Sequence, residues 1–378
     1  MVLFSSYLSQ LKEKELKTDK KIAVTEANKL RDSWINPINT KYLYQKGDQF
    51  PNQKYESFTI SIDQPVFKSG GIYRAIKYAI SKRGESLISV KLKRNELIAA
   101  AIKNGYLLKR VDYQIEKQLL LIKNAKINVR VKKEAYLSGE LDSTFLDNAI
   151  IEKNRLELAL CDMRQSREDI YKNYRDLVDF NFTLPRFSLV KREEFFKKNL
   201  DISRLKMAKK AYREYKYMTI SRYLPSLSLF GNYNYQNSQG SQFMPSFEYK
   251  DSFYTYGFHI SMPLFDINSF KNIELAKLNY LKSSLQLLDK KREEKNLFRA
   301  IFKKLGHIDK KISLTYEDLK LYSSLLNQTK ELFKAGEKTK YDVMTMQNSL
   351  NSRRLDLKIF DMDRQILLLE LYKKMGFK

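Results

Sequence analysis

The seven prolines of this 378-residue chain occupy only three places: Pro37, Pro51 and Pro65, then Pro185 alone, then Pro225, Pro245 and Pro263. Proline inside a helix removes an amide donor and clashes with the preceding turn, so proline-free reaches are where long helices can form. Two such stretches, Ile72 to Ser138 and Asn268 to Ala335, are each longer than sixty residues. As continuous helices each would extend roughly 100 Å at about 1.5 Å per residue. That is far beyond a globular helix.

Periodicity supports helices that pack along their length. Leu108, Ile115, Ile122, Val129 and Tyr136 recur every seven residues, as do Ala149, Leu156, Met163, Ile170 and Leu177. Leu278, Leu281, Leu285 and Leu288 alternate spacings of three and four, and so do Leu355, Ile359, Met362, Ile366 and Leu369. This is the seam of coiled coils. Between successive runs stand two related phrases, "YLSGELDSTFLDNA" and "FKAGEKTKYDVMTM", whose glycines, Gly139 and Gly336, lie 336 − 139 = 197 residues apart. Glycine ends helices by adopting the left-handed conformation, so both phrases read as turns of long helical hairpins.

The proline-bearing zones change period. In "YESFTISIDQPVF", Phe58, Ile60 and Ile62 alternate with Thr59, Ser61 and Asp63; in "FYTYGFHISMPLF", Tyr254, Tyr256, Phe258, Ile260 and Met262 alternate with Thr255, Gly257, His259 and Ser261. "LPSLSLFGNYNYQ" sets Leu227, Leu229, Tyr233 and Tyr235 against Ser226, Ser228, Asn232 and Asn234, and "INPINTKYLYQ" is a weaker fourth member. Period two marks strands. Polar loops, Lys46 to Lys54 and Asn237 to Asp251, join them in pairs. One tyrosine-rich apolar face and one small polar face suit a membrane barrel with a wet interior. A soluble antiparallel sheet with one side on a core has the same alternation.

The outline therefore repeats. Residues 1–179 form a first repeat, with a helix, a strand pair at about 35–67 and a helical hairpin at about 70–178 turning at Gly139. A linker, 180–189, leads to a second repeat, 190–378, with a helix, strands at about 225–265 and a hairpin at about 267–376 turning at Gly336. Pro65 and Pro263 end strands 198 residues apart, and Ser69 or Asp266 is placed to cap the following helix.

Lys and Arg exceed Asp and Glu by 70 − 44 = 26, which invites a nucleic-acid reading. The lysines are spread along the whole chain, however, and no nucleic-acid motif interrupts them. The rival function is a cytosolic, basic coiled-coil protein that binds nucleic acid. It accounts for the charge and for an N-terminus without a basic region or apolar core of an export signal, but not for four alternating strands in two matched pairs. Otherwise the sequence is a mature, trimmed or wrongly started version of an exported protein. No continuous apolar window reaches the roughly 18 residues of a membrane helix, whereas a β-barrel would contain none. The single cysteine, Cys161, reads as a core thiol, and His259 and His307 have no ligand-spaced partners, so no metal, cofactor or enzyme activity is expected.

These residues resemble the TolC-like outer membrane efflux proteins, or outer membrane factors. The resemblance rests on "YLPSLSLFGNYNY", then "FHISMPLFD" opening a long helix, then "LFKAGEKTKYDVMTMQNSL", then a heptad-rich helix ending "LYKKMG". The second half matches most clearly and the first as its degenerate duplicate. The resemblance implies a mixed, mainly α fold with membrane β structure: long antiparallel helical hairpins forming an α-barrel, plus four strands per protomer completing a trimeric 12-stranded β-barrel. It implies a homotrimer in the outer membrane, among outer membrane lipids, with helices extending into the periplasm. A periplasmic adaptor and an inner-membrane pump would engage the helix tips at Gly139 and Gly336, and no nucleic acid is expected. Cargo would pass through passively, in a tripartite efflux or type I secretion system.

The resemblance also carries over positions near the closed periplasmic aperture. Asp342, six residues after Gly336, matches a constriction acid, while the equivalent position after Gly139 is Phe145. The second constriction acid is replaced by Thr345, and Phe333 and Lys338 match positions that hold the closed state, facing Phe145 and Thr144 in the first repeat. A Thr144–Lys338 hydrogen bond and a Phe145–Phe333 contact are the expected links. A ring of three Asp342 carboxylates would raise its own pKa values and attract cations; the alternative role for Asp342 is a cap on the returning helix. Pro65, Phe67, Pro263 and Phe265 mark the strand–helix junctions.

Overall fold

A computed structural model describes residues 7–47, 53–180, 182–240 and 248–377. Pro51, Pro245 and the middles of both polar loops lie outside these residues. In chain order the elements are α1 (Gln10–Asp32), β1 (Asn39–Lys46), β2 (Lys54–Phe67), α2 (Gly71–Leu137), α3 (Ser143–Arg175), α4 (Arg192–Lys198), α5 (Leu200–Ser221), β3 (Ser226–Gln239), β4 (Glu248–Ser261), α6 (Ser269–Lys334) and α7 (Lys340–Met375). The proline-free stretches are indeed single helices, 67 residues in α2 and 66 in α6. The chain divides into two compact units, each drawing on both halves of the sequence. One comprises Met1–Lys17, Val90–Asp201 and Lys291–Lys378, the other Thr18–Ser89 and Ile202–Lys290.

The second unit holds one antiparallel sheet in the order β1-β2-β3-β4. Register sorts the alternation read from the sequence onto two faces. Tyr42 pairs with Phe58 and Phe58 with Tyr235, and Ile60 pairs with Tyr233, which pairs with Tyr254. Directly paired residues share a face, so the apolar positions of all four strands form one surface. On the other side Thr59 pairs with Asn234 and its hydroxyl donates to the Asn234 amide oxygen at 3.0 Å. The apolar surface is not a core: Tyr254, Tyr256, Phe258 and Ile260 are 67–86% exposed. This excludes, for the isolated chain, a soluble sheet with one side on its own core. The outer edges of β1 and β4 have no strand partner among the described residues.

At the junctions, the β2–β3 register shifts between Pro65 and Phe67, where proline has no amide to give the ladder. Phe67 is exposed, and so is Phe265, which follows Pro263 after β4. Asp266 caps the approach to α6 by accepting from the Asn268 amide at 2.8 Å. Ser69 does not cap α2. Its φ is +46° and its hydroxyl donates to the Pro225 carbonyl at 2.7 Å, tying the end of β2 to the start of β3 instead.

The first unit is built round Ile98, Ile102, Phe187, Phe195, Phe298, Leu305, Leu368 and Leu371. Residues 182–187 of the expected linker pack into this core through Phe182, Leu184 and Phe187. Phe187 is buried, its amide donates to the Gln365 side-chain oxygen at 2.7 Å, and the Tyr106 hydroxyl donates to the Pro185 carbonyl. Burial pushes the Tyr106 pKa up to about 12. The single helix expected before β3 is broken at Asn199, which is extended and fully buried, with its amide donating to the Glu294 carboxylate at 2.9 Å. Cys161 is exposed, correcting the expectation of a core thiol: α3 is helical as anticipated, but buries Ala149, Leu160 and Tyr174 instead.

The heptad seams divide sharply. On α7, Leu355, Ile359 and Leu369 are buried. On α6, Leu278, Leu281, Leu285 and Leu288 are 53–61% exposed.

Candidate functional site

Both glycine turns lie in the first unit and share one backbone design. Gly139 has φ +77° and Gly336 φ +80°. After α2, the Glu140 amide donates to the Ala135 carbonyl and the Gly139 amide to the Tyr136 carbonyl. After α6, the Glu337 amide donates to the Leu332 carbonyl and the Gly336 amide to the Phe333 carbonyl. This is the Schellman arrangement, which satisfies the last carbonyls of a helix and requires a left-handed residue where glycine is least strained.

The returning helices are capped three residues after each glycine, but by different chemistry. Asp142 accepts from the Thr144 amide and the Thr144 hydroxyl, both at 2.8 Å. These bonds hold its carboxyl below the usual range, the amide contributing first. At the second tip Thr339 is the cap and Asp342 completes a capping box. The Asp342 carboxylate accepts from the Thr339 amide at 2.8 Å and hydroxyl at 2.9 Å, while the Asp342 amide donates back to the hydroxyl at 3.3 Å. The Thr339 backbone bond, then its hydroxyl and the nearby Lys338, lower the Asp342 pKa. It is the shift of the helix-cap role within one chain; a three-carboxylate ring concerns three copies. Thus each tip carries one capping carboxylate, at the cap itself in the first and three residues later in the second.

The remaining expected gate residues are placed as follows. Phe145 is 52% exposed with Lys132 Nζ 5.6 Å from its ring centroid, and Phe333 is 44% exposed. Within one chain, among the described residues, no ring contact joins Phe145 to Phe333 and no hydrogen bond joins Thr144 to Lys338. Thr345 presents its carbonyl to the Asn124 amide at 3.3 Å and to the Ser349 hydroxyl at 2.8 Å. Asn124 also accepts from Asn348 at 2.8 Å. This amide network was invisible to motif reading, because its members are more than two hundred residues apart in sequence. Asn124, Arg155, Thr329, Lys338, Asp342 and Thr345 together line an open groove of about 750 Å³ next to the second tip. Among the described residues no His, Cys, Asp and Glu group could hold a metal, and no helix is long and apolar enough to cross a membrane.

Long helical hairpins with glycine tips, joined to an open four-stranded sheet with an exposed apolar face, define a class: the outer membrane channel fold. The known structures agree. The chain superposes on the CmeC outer membrane channel of Campylobacter jejuni with a TM-score of 0.77 at 14% identity, covering 98% of this chain and 84% of that one. For the outer membrane protein VceC of Vibrio cholerae the values are 0.76 and 15%, covering 96% and 93%. For the open state of the MtrE outer membrane channel of Neisseria gonorrhoeae they are 0.67 and 14%, covering 96% and 85%. No curated protein is similar in sequence. Residues 193–376 match the outer membrane efflux protein family.

Proposed function

We propose that three copies of this chain form an outer membrane exit duct, and the observation that carries this is the open, apolar-faced sheet. Four strands cannot close on themselves, and lipid does not tolerate unpaired backbone donors and acceptors at a sheet edge. Three copies joined β4 to β1 leave no edge and turn Tyr254, Tyr256, Phe258 and Ile260 to lipid, with Thr59, Asn234 and Thr255 towards water. The exposed Leu278–Leu288 seam of α6 fits the same assembly, since it needs a neighbour that its own chain does not supply. The helices would reach into the periplasm, with the Gly139 and Gly336 tips engaged by an adaptor and an inner-membrane pump. Conduction is passive: the duct moves drugs, other small molecules or a secreted protein without chemistry of its own. The two halves are read as duplicated repeats, which make the ring nearly six-fold.

At the aperture, Asp342 of three chains would face the axis, with Thr345, Lys338, Phe333, Thr144 and Phe145 around it. The test is the purified protein in detergent and in a planar bilayer. A trimer with discrete conductance steps is expected, and Asp342→Asn should weaken block by divalent cations. A monomer that never conducts would sink the duct; a conducting trimer with unchanged block would remove Asp342 from the pore alone.

A further inference from the structure

Three strand–helix joints of the second unit meet round a single cavity of about 170 Å³. Trp34 lies between α1 and β1, Lys68 between β2 and α2, and Arg222 between α5 and β3, and all three line it. Ile72, Ala75 and Met218 form an apolar wall, and no acidic residue lines it. Nearby on α2 and α5, Arg74 and Arg213 both pair with the buried Glu214, at 2.8 Å and 3.0 Å. The Lys68 and Arg222 side chains, by contrast, make no ion pair or hydrogen bond among the described residues, and the Trp34 indole N–H donates to none of them. Two cations and an indole thus border one space of about 170 Å³, large enough for a phosphate group and the carbons attached to it.

We propose that this cavity binds the headgroup of an anionic phospholipid. Lys68 and Arg222 take the phosphate, Trp34 supplies an indole donor, and the apolar wall receives the glycerol and first acyl carbons. The assignment rests on the outer membrane reading. A lipid fits better than free phosphate because exposed apolar residues continue away from the cavity: Ile35, Ile38, Val66, Phe67 and Leu224 are each 41–65% exposed. An inorganic ion has no use for that surface. Cations and an indole at the end of an apolar β surface are also how membrane proteins meet charged headgroups.

Trp34 is the only tryptophan of the chain, so fluorescence excited selectively in tryptophan, beyond tyrosine absorption, reports this cavity. Full-length protein in neutral detergent would be titrated with short-chain phosphatidylglycerol, with phosphatidylcholine and with inorganic phosphate. Saturable change with phosphatidylglycerol is expected, with phosphatidylcholine and phosphate each at least about tenfold weaker, and a loss of about tenfold or more in the Lys68→Gln/Arg222→Gln double variant. A control variant, Lys123→Gln/Lys133→Gln, removes the same charge far along α2 and should bind as the parent does. Equal response to phosphatidylcholine, phosphate as effective as lipid, an unaffected double variant or an equally weakened control would each overturn the site. Conductance of the parent in phosphatidylcholine bilayers separates the two failures: a conducting protein whose Trp34 ignores phosphatidylglycerol refutes the lipid site only, and a protein that never inserts refutes both.

Discussion

Gly139 and Gly336 have open space where a Cβ would stand, so their replacement is penalised by backbone conformation and not by collision. Gly336→Ala should cost about 1 kcal/mol, seen as a lower thermal midpoint with an unchanged helical spectrum. Thr339→Ala removes the cap of α7 and should cost a similar amount, about 1 kcal/mol, read as faster amide exchange over the first turn of that helix. Asp342 adds a pH dependence whose sign follows from its lowered pKa. A carboxyl with a folded pKa below its unfolded value contributes fully above the unfolded pKa and loses that contribution as pH falls through the folded one. The first turn of α7 should therefore begin to loosen only in acid, and Asp342→Asn should flatten that response in amide exchange. The glycines were legible in the sequence because only a left-handed turn calls for them. The division of capping labour is half legible: "TKYD" has the spacing of a capping box, whereas equivalence with the other tip points to Phe145 and not to Asp142.

At the scale of elements, the contrast between α6 and α7 decides which helix meets a neighbouring chain. Leu281→Lys/Leu288→Lys puts charge on a seam that is solvated within one chain and would be buried in a trimer. Helicity should survive while light scattering in detergent shifts from trimer to monomer. Leu369→Lys instead places a charge at a position 1% exposed, and should unfold the first unit, with a cost above about 3 kcal/mol. The sequence pattern made both seams visible, but periodicity states only that a face is apolar, not which chain covers it. Cys161 fails for the same reason: its helix is right and its face is not. The break at Asn199 was illegible because its cause, Glu294, sits 95 residues away on α6.

At the scale of the whole molecule, a net charge of +26 and an apolar sheet give opposite accounts of what the protein adheres to. Charge attraction to nucleic acid or to phosphate headgroups fades with salt, because the Debye length contracts from about 10 Å at 0.1 M to about 3 Å at 1 M. Burial of tyrosine and isoleucine in lipid does not fade; salting-out ions strengthen it. Ionic strength therefore separates a membrane-inserted duct from a basic protein that merely sticks to anionic surfaces. The full-length protein should sediment with the outer membrane fraction and stay there through a 1 M salt wash and nuclease treatment, leaving only in detergent. Release by salt alone, with nucleic-acid affinity falling steeply over the same range, would mean that the charge and not the sheet governs its location. Leu281→Lys/Leu288→Lys sharpens the comparison by raising the charge while weakening assembly: under the duct account it should reduce membrane retention, and under the charge account increase it.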